Sequence, residues 1–340
     1  MSLEQEEQEE EAQPGRLLRC SDAGAYFVEP NVRFWITECQ SFIQRFLQWT
    51  ELLDPTNVFI SVESIENLRQ LLCTNEDASR SALEDQRIQE AWKRSLSTVH
   101  PDSSNLIPNF FRPAAFLPFM VPAVFFSMMP PKGITSMILP KVYLYGYLTA
   151  FSIINGNRSY TCHPLERSLL GVGAFTSSSF FGLIPNFIQM RLSSNTFFMK
   201  RVLPVAILAQ VSGMNVLTSR SLEGVKGIAV MDKEGHVLGH SKIAGRKATR
   251  ETAASRGLLL GTSAVIPEVF TYFFKRTQFS LANAGSLWIW KLACTIGSMG
   301  LMLPISFSLF PQIGRIQCSY LEEDIQSLTE ETELFYHRGL

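Results

Sequence analysis

Three groups of residues have the types and spacing to do chemistry. His100 and Asp102 stand two positions apart and offer an imidazole and a carboxylate that could pair as metal ligands. A helix-starting or loop-anchoring role is the preferred reading of that pair, because no cluster of further ligands adjoins it. Asn155, Asn157 and Arg158 end an apolar stretch with two amides and a guanidinium. Such groups are costly inside a membrane unless they bind each other, water or a substrate. Glu268 is the one acid in the 18-residue run Gly257 to Phe274, which makes it a functional candidate, although Lys275 nearby marks an interface that it could reach. Cys20, Cys39, Cys73, Cys162, Cys294 and Cys318 form no C-x-x-C pair and no close Cys/His cluster. That spacing argues against zinc, iron-sulfur and disulfide frameworks, so no metal and no cofactor is expected. Walker, G-x-G-x-x-G and G-x-S-x-G signatures are missing too, and an enzyme is not expected.

The elements that must position these residues are membrane helices. Of 340 residues only 18% are charged, against about 25% in a typical soluble domain, and the mean hydropathy is +0.09. The deficit is uneven. Residues 1–105 hold 19 acids and 9 bases, a net of -10, while residues 106–340 hold 12 acids and 21 bases, a net of +9. The bases of the second part sit in short groups between apolar runs, not along an aromatic-studded face, so no nucleic-acid partner is expected. Charge-free runs of 19, 23, 18 and 23 residues lie at 113–131, 168–190, 202–219 and 292–314, with 257–274 as a fifth. Each is long enough for a bilayer, which takes about 20 residues. The stretch 142–157 has only 16 uncharged residues and reads as a half-helix. Five spans place the termini on opposite sides of the bilayer.

Around that bundle (106–320) the sequence predicts an acidic disordered tail (1–20) and an amphipathic helical region (21–105). Its first helix carries Ile43, Phe46, Leu47 and Leu53, its second Ile65, Leu68 and Leu72, and its third Ile88, Trp92, Leu96 and Val99, and a small soluble bundle is the favoured arrangement. Between the third and fourth spans, 221–256 predicts a β-hairpin through Gly227, Asp232, Gly235 and Gly239, followed by a helix capped by Ser241. Residues 321–340 read as an acidic tail. The leader, with six glutamates in eleven residues and no base, cannot act as a cleavable presequence.

The ordered set His100-Pro-Asp-Ser-Ser104, Asn157-Arg158, Gly227-Ile-Ala-Val-Met-Asp232 with Gly235, Gly239 and Ser241, Leu309-Phe-Pro-Gln312 and Gly339-Leu340 resembles the motifs of sideroflexins. The resemblance covers roughly residues 33–340. It implies an all-α multi-pass protein of the mitochondrial inner membrane, in a family whose members carry serine and related small amino acids into the matrix. The departures bear on that activity. Ser103-Ser104 stand where the family usually reads Thr-Gly, and Gly146, Tyr147, Ala150 and Ile154 replace amides of an Asn/Gln-rich stretch before Asn157-Arg158. Glu268 stands where the family tends to have proline. Loss of the amides removes polar handles for a zwitterion, so a membrane-embedded scaffold is expected ahead of an active serine carrier. The departures are similar to those of a divergent vertebrate branch, for which the resemblance implies respiratory complex I assembly proteins as partners, beside the lipid bilayer, and a link to iron homeostasis.

Overall fold

The computed structural model describes residues 30–37, 41–74, 86–131, 133–159, 163–192, 198–276 and 287–340. The acidic leader, Cys20, Cys39 and Cys162 lie outside them. Four helices come first: α1 (Pro30–Thr37), α2 (Phe42–Leu52), α3 (Val62–Thr74) and α4 (Gln86–Thr98). Then follow α5 (Phe116–Ser127), α6 (Ile134–Ile154), α7 (Pro164–Leu192), α8 (Leu203–Ser219), the short α9 (Ser221–Lys226), α10 (Lys242–Phe274), α11 (Leu287–Leu309) and the short α12 (Glu323–Gln326). Strands β1 (Ile228–Met231), β2 (Val237–Ser241), β3 (Ile313–Gln317) and β4 (Glu333–His337) form one sheet in the order β2-β1-β4-β3.

Helices α6, α7, α8, α10 and α11 are long and apolar enough to cross a membrane, and Pro113–Ser127 is a shorter apolar segment. The protein is thus a multi-pass, mainly helical membrane protein with five long spans, beside which the shorter Pro113–Ser127 packs. The sequence exchanged two of those roles. Of the stretch 142–157, expected as a half-helix, residues 142–154 belong to the 21-residue α6, and 113–131, expected as a full span, holds the 12-residue α5. Lys141 is the physical reason. It interrupts the charge-free run, yet it is buried inside the bundle, where a long aliphatic stem packs as well as a leucine.

Both α5 and α6 run the length of the bundle. The Tyr147 hydroxyl, late in α6, donates to the Phe110 carbonyl ahead of α5 at 3.0 Å. Past the other end of α5, the Met128 carbonyl accepts from Lys291 Nζ, early in α11, at 3.1 Å. Six apolar segments therefore build the bundle, five of them long enough to cross a membrane. The first described helices, Pro30–Thr37 and Phe42–Leu52, and the C-terminal strands pack on one end, here the near end, whereas five spans predict opposite sides for the two ends of the chain. Direct contacts agree, because Arg45 Nε of α2 donates to the Ser308 carbonyl at the end of α11 at 3.0 Å and the Leu340 amide donates to the Asn155 carbonyl at 3.0 Å.

The N-terminal helices form where expected, but they cap the near end instead of making a separate bundle. Ser41 caps α2 in a reciprocal box with Gln44, and α2 buries Arg45, Trp49 and Leu52. Trp49 packs edge-on against Phe307 at 5.0 Å and stacks on Trp35 at 5.5 Å. Ile43 and Leu47, taken from their spacing as the packed face, are exposed. Arg112, which in sequence only bounds a span, is buried and donates to the carbonyls of Asn57 at 3.0 Å and Val58 at 2.9 Å, tying this cap to α5.

The hairpin forms as β1 and β2, and Ser241 Oγ accepts from the Ala244 amide at 3.1 Å to start α10. That helix runs unbroken for 33 residues and fuses the basic loop helix to the fourth expected span. Residues 321–340 are not a free tail. β4 pairs with both β1 and β3, and Leu334, Phe335 and Tyr336 are buried.

Candidate functional site

Five of the six polar residues singled out above meet at the near end, in one buried hydrogen-bonded knot. Asn157 donates to Glu223 from its backbone amide at 3.1 Å and from Nδ2 at 2.8 Å. Glu223 also accepts from Arg220 Nε at 2.6 Å and Nη2 at 2.8 Å, a two-pronged pair in which both side chains are 1% exposed. Arg220 Nη2 reaches on to the Arg338 carbonyl at 2.6 Å. Gly339 follows with φ +73, and a Cβ there would lie 2.5 Å from Arg220 Nη2, so only glycine lets the chain pass. Asn155 Nδ2 donates to the Phe111 carbonyl at 3.0 Å, and Asp102 Oδ2 accepts the Arg158 amide at 2.6 Å.

The two histidines of the knot have their tautomers set by their partners. His100 Nε2 faces the Gly156 carbonyl at 2.9 Å, which can only accept, and Nδ1 faces the Asp102 amide at 3.2 Å, which can only donate. His337 Nδ1 lies 2.8 Å from Asn157 Oδ1, and its Nε2 lies 3.0 Å from Gln312 Nε2. Because Asn157 Nδ2 already serves Glu223, the Asn157 oxygen must accept, and His337 is protonated on Nδ1 alone. Burial, reinforced by Arg158, pulls the His100 imidazole down from 6.5 to about 3. Burial likewise holds His337 well below its ordinary value, and it raises the Asp102 carboxyl. Both rings are neutral with both nitrogens occupied. The arrangement ties loops together and leaves no imidazole nitrogen of His100 or His337 open.

Arg220, Glu223, Gln312, His337 and Arg338 were missed as site residues. Their sequence signal was weak: Arg220 looked like a span boundary, and His337 lay in a stretch read as tail. Ser104, where the family usually has glycine, has φ +54, a left-handed conformation that costs a non-glycine residue about 1–2 kcal/mol. Its amide nonetheless closes the turn on the His100 carbonyl at 3.0 Å.

The loop motif has a structural role in each member. Gly227, at φ +88, ends α9, and a Cβ there would press on the Ser241 carbonyl carbon at 3.1 Å. Asp232 Oδ1 accepts from the amides of Glu234 at 2.9 Å and His236 at 2.8 Å, Gly235 closes the turn, and Gly239 pairs with Val230. Asp232, Glu234 and His236 gather at this tip with ligand atoms within 4.8 Å, but the turn itself accounts for the grouping.

Glu268 lies away from the knot, at the far end, where it joins Arg201 and Lys291 in a triad linking the start of α8, the end of α10 and the start of α11. Toward the near end of α6, the positions that carry amides in the family are filled differently. The Tyr147 ring stacks on Phe119 at 5.4 Å and Phe111 at 5.8 Å. Gly146 faces the edge of Phe175. Beside them Arg256 is buried under three rings, Phe116, Phe151 and Phe307, at 4.7, 5.1 and 5.3 Å from their centroids.

A family model described as Sideroflexins matches residues 31–340. The chain is 72% identical to Sideroflexin-4 of Homo sapiens over 340 residues, all of both proteins. It is 37% identical to Sideroflexin-4 of Danio rerio, across 92% of this chain and 100% of that one. To Sideroflexin-5 of Homo sapiens the identity is 27%, across 88% of this chain and 90% of the relative. No solved structure matches. A match that takes in the near-end knot, the whole bundle and the C-terminal strands alike makes the chain a member of the sideroflexin family.

Proposed function

We propose that this sideroflexin acts in the mitochondrial inner membrane as a scaffold, with respiratory complex I assembly as the process it serves, and not as a serine carrier. The observation that carries the reading is the aromatic packing on α6. The single hydroxyl that replaces the lost amides, on Tyr147, is spent on the Phe110 carbonyl, and its ring is stacked against Phe119 and Phe111. A zwitterion crossing at this level would leave its ammonium and carboxylate without partners, at a cost of several kcal/mol for each. The near end adds a second barrier. Between the knot and the N-terminal cap, the space lined by Trp49, His100, Asn155, His337 and Leu340 is about 20 Å³, room for one water and not for an amino acid. A scaffold also needs a surface, and α2 with the following loop exposes Phe42, Ile43, Leu47 and Phe59. The iron link that comes with the family is taken as indirect, since both histidines of the knot are occupied.

One observation favours the carrier instead. Asn215 Nδ2 donates to Thr149 Oγ1 at 2.7 Å and Ser178 Oγ at 3.0 Å within the bundle, and Asn215 Oδ1 has no partner among the described residues. Deleting the protein from cells separates the two readings: the scaffold predicts depletion of complex I with serine import unchanged, whereas loss of serine import alone would establish the carrier.

A further inference from the structure

At the far end the described residues leave a space between the segments. The loop after α5 and the ends of α7, α8, α10 and α11 surround an open cavity of about 460 Å³. Among the described residues its charged lining is Lys200, Arg201, Lys275, Lys291 and Glu268, four bases and one acid, a net of +3. Glu268 bonds both Arg201 and Lys291, and the Glu268 carbonyl also accepts from Arg201 Nη1 at 3.3 Å. The triad is largely buried, with side chains 22%, 12% and 11% exposed for Arg201, Glu268 and Lys291. It fixes two cations in the wall of a low-dielectric cleft, where their field is focused. Asn186 contributes an amide, and the rim at Met129, Leu287 and Trp288 is apolar.

We propose that this cavity binds a phosphate-bearing anion, with Lys200, Arg201 and Lys275 as the recognising cations and Glu268 as the internal carboxylate that holds Arg201 and Lys291 in place. A monocarboxylate would neutralise one of three excess charges, whereas a phosphate ester neutralises more and accepts the planar fork of Arg201. The volume lies in the range of ligand sites, about 300–1,000 Å³. The phosphate belongs either to a phospholipid headgroup, whose chains the apolar rim admits, or to a soluble ester. This proposal stands apart from the scaffold reading.

The test uses the full chain in phosphatidylcholine nanodiscs, with thermal melting followed as inorganic phosphate or, separately, phosphatidic acid is added. Either addition should raise the melting temperature of the wild type. Stabilisation by phosphatidic acid alone assigns the site to lipid, and stabilisation by both assigns it to phosphate as such. Lys275→Gln lies outside the triad and should weaken binding about tenfold. Glu268→Gln removes the opposing charge while its amide oxygen still accepts from a cation of the triad, and should tighten it, the reverse of what a purely structural triad would do. If Glu268→Gln does not fold, Lys275→Gln decides alone. No response of the wild type to either probe, or unchanged binding in Lys275→Gln, overturns the proposal.

Discussion

Replacing Glu223 by alanine should release the near-end knot. The carboxylate accepts four hydrogen bonds, two from Arg220 and two from Asn157, and is 1% exposed. Its removal leaves the Arg220 guanidinium buried without its counter-ion, a change that costs about 3–5 kcal/mol when one member of a buried pair is lost. The Asn157 amide is orphaned as well, adding about 1–3 kcal/mol. Relaxation and water entry offset part of this, so a loss near 3 kcal/mol is the conservative expectation, about a hundredfold in local opening. Hydrogen exchange by mass spectrometry reads that opening. Peptides spanning 155–158 and 337–340 should lose about a hundredfold of their protection, because the Leu340 amide is held by Asn155 and Arg220 holds the Arg338 carbonyl. Amides of α7, which lies outside the knot, should not change. The pair substituted together, Arg220→Met with Glu223→Leu, should recover much of the loss, since an apolar pair of similar volume needs no counter-ion. Unchanged exchange at both peptides in Glu223→Ala would refute the reasoning.

Acidification should loosen the same knot. His100 has its folded value lowered from 6.5 to about 3, so the unfolded chain binds more protons and stability falls as the pH drops below 6.5. By pH 5 this one ring should have cost about 2 kcal/mol, and His337 adds to it in the same direction; exchange at 337–340 across pH 7 to 5 checks this, and flat protection would contradict it. The packing of α2 and of the C-terminal residues on one end of the bundle predicts that tags at the two ends are cleaved together or protected together in mitoplasts, whereas cleavage of one alone would contradict it.

Much of the bundle was legible because the bilayer imposes a length and a composition on each span. Where the reading slipped, a buried charge was the cause. Lys141 hid the true start of α6, and Arg112, Arg220 and Arg256, read as markers of water, are all buried. A charge in sequence carries no sign of the carbonyls or rings that will receive it. The first amphipathic helix erred in the same manner, since Arg45 and Trp49 face inward and Ile43 and Leu47 outward. The site was legible in its parts and not in its assembly. His100, Asn157, Gln312 and Gly339 were marked by the ordered motifs, but their convergence depends on β4 entering the sheet beside β1, a pairing between strands about a hundred residues apart that local pattern cannot convey.

Flux through the purified protein tests the central claim most directly. The wild-type chain, reconstituted in proteoliposomes, should show no serine uptake above protein-free vesicles, because the Tyr147 hydroxyl and ring are already engaged and the near-end space holds about one water. The four-fold change Gly146→Asn, Tyr147→Gln, Ala150→Asn and Ile154→Asn should restore measurable uptake by returning amides to that face of α6. Robust, saturable serine uptake by the unmodified protein would contradict the account and establish the chain as a carrier.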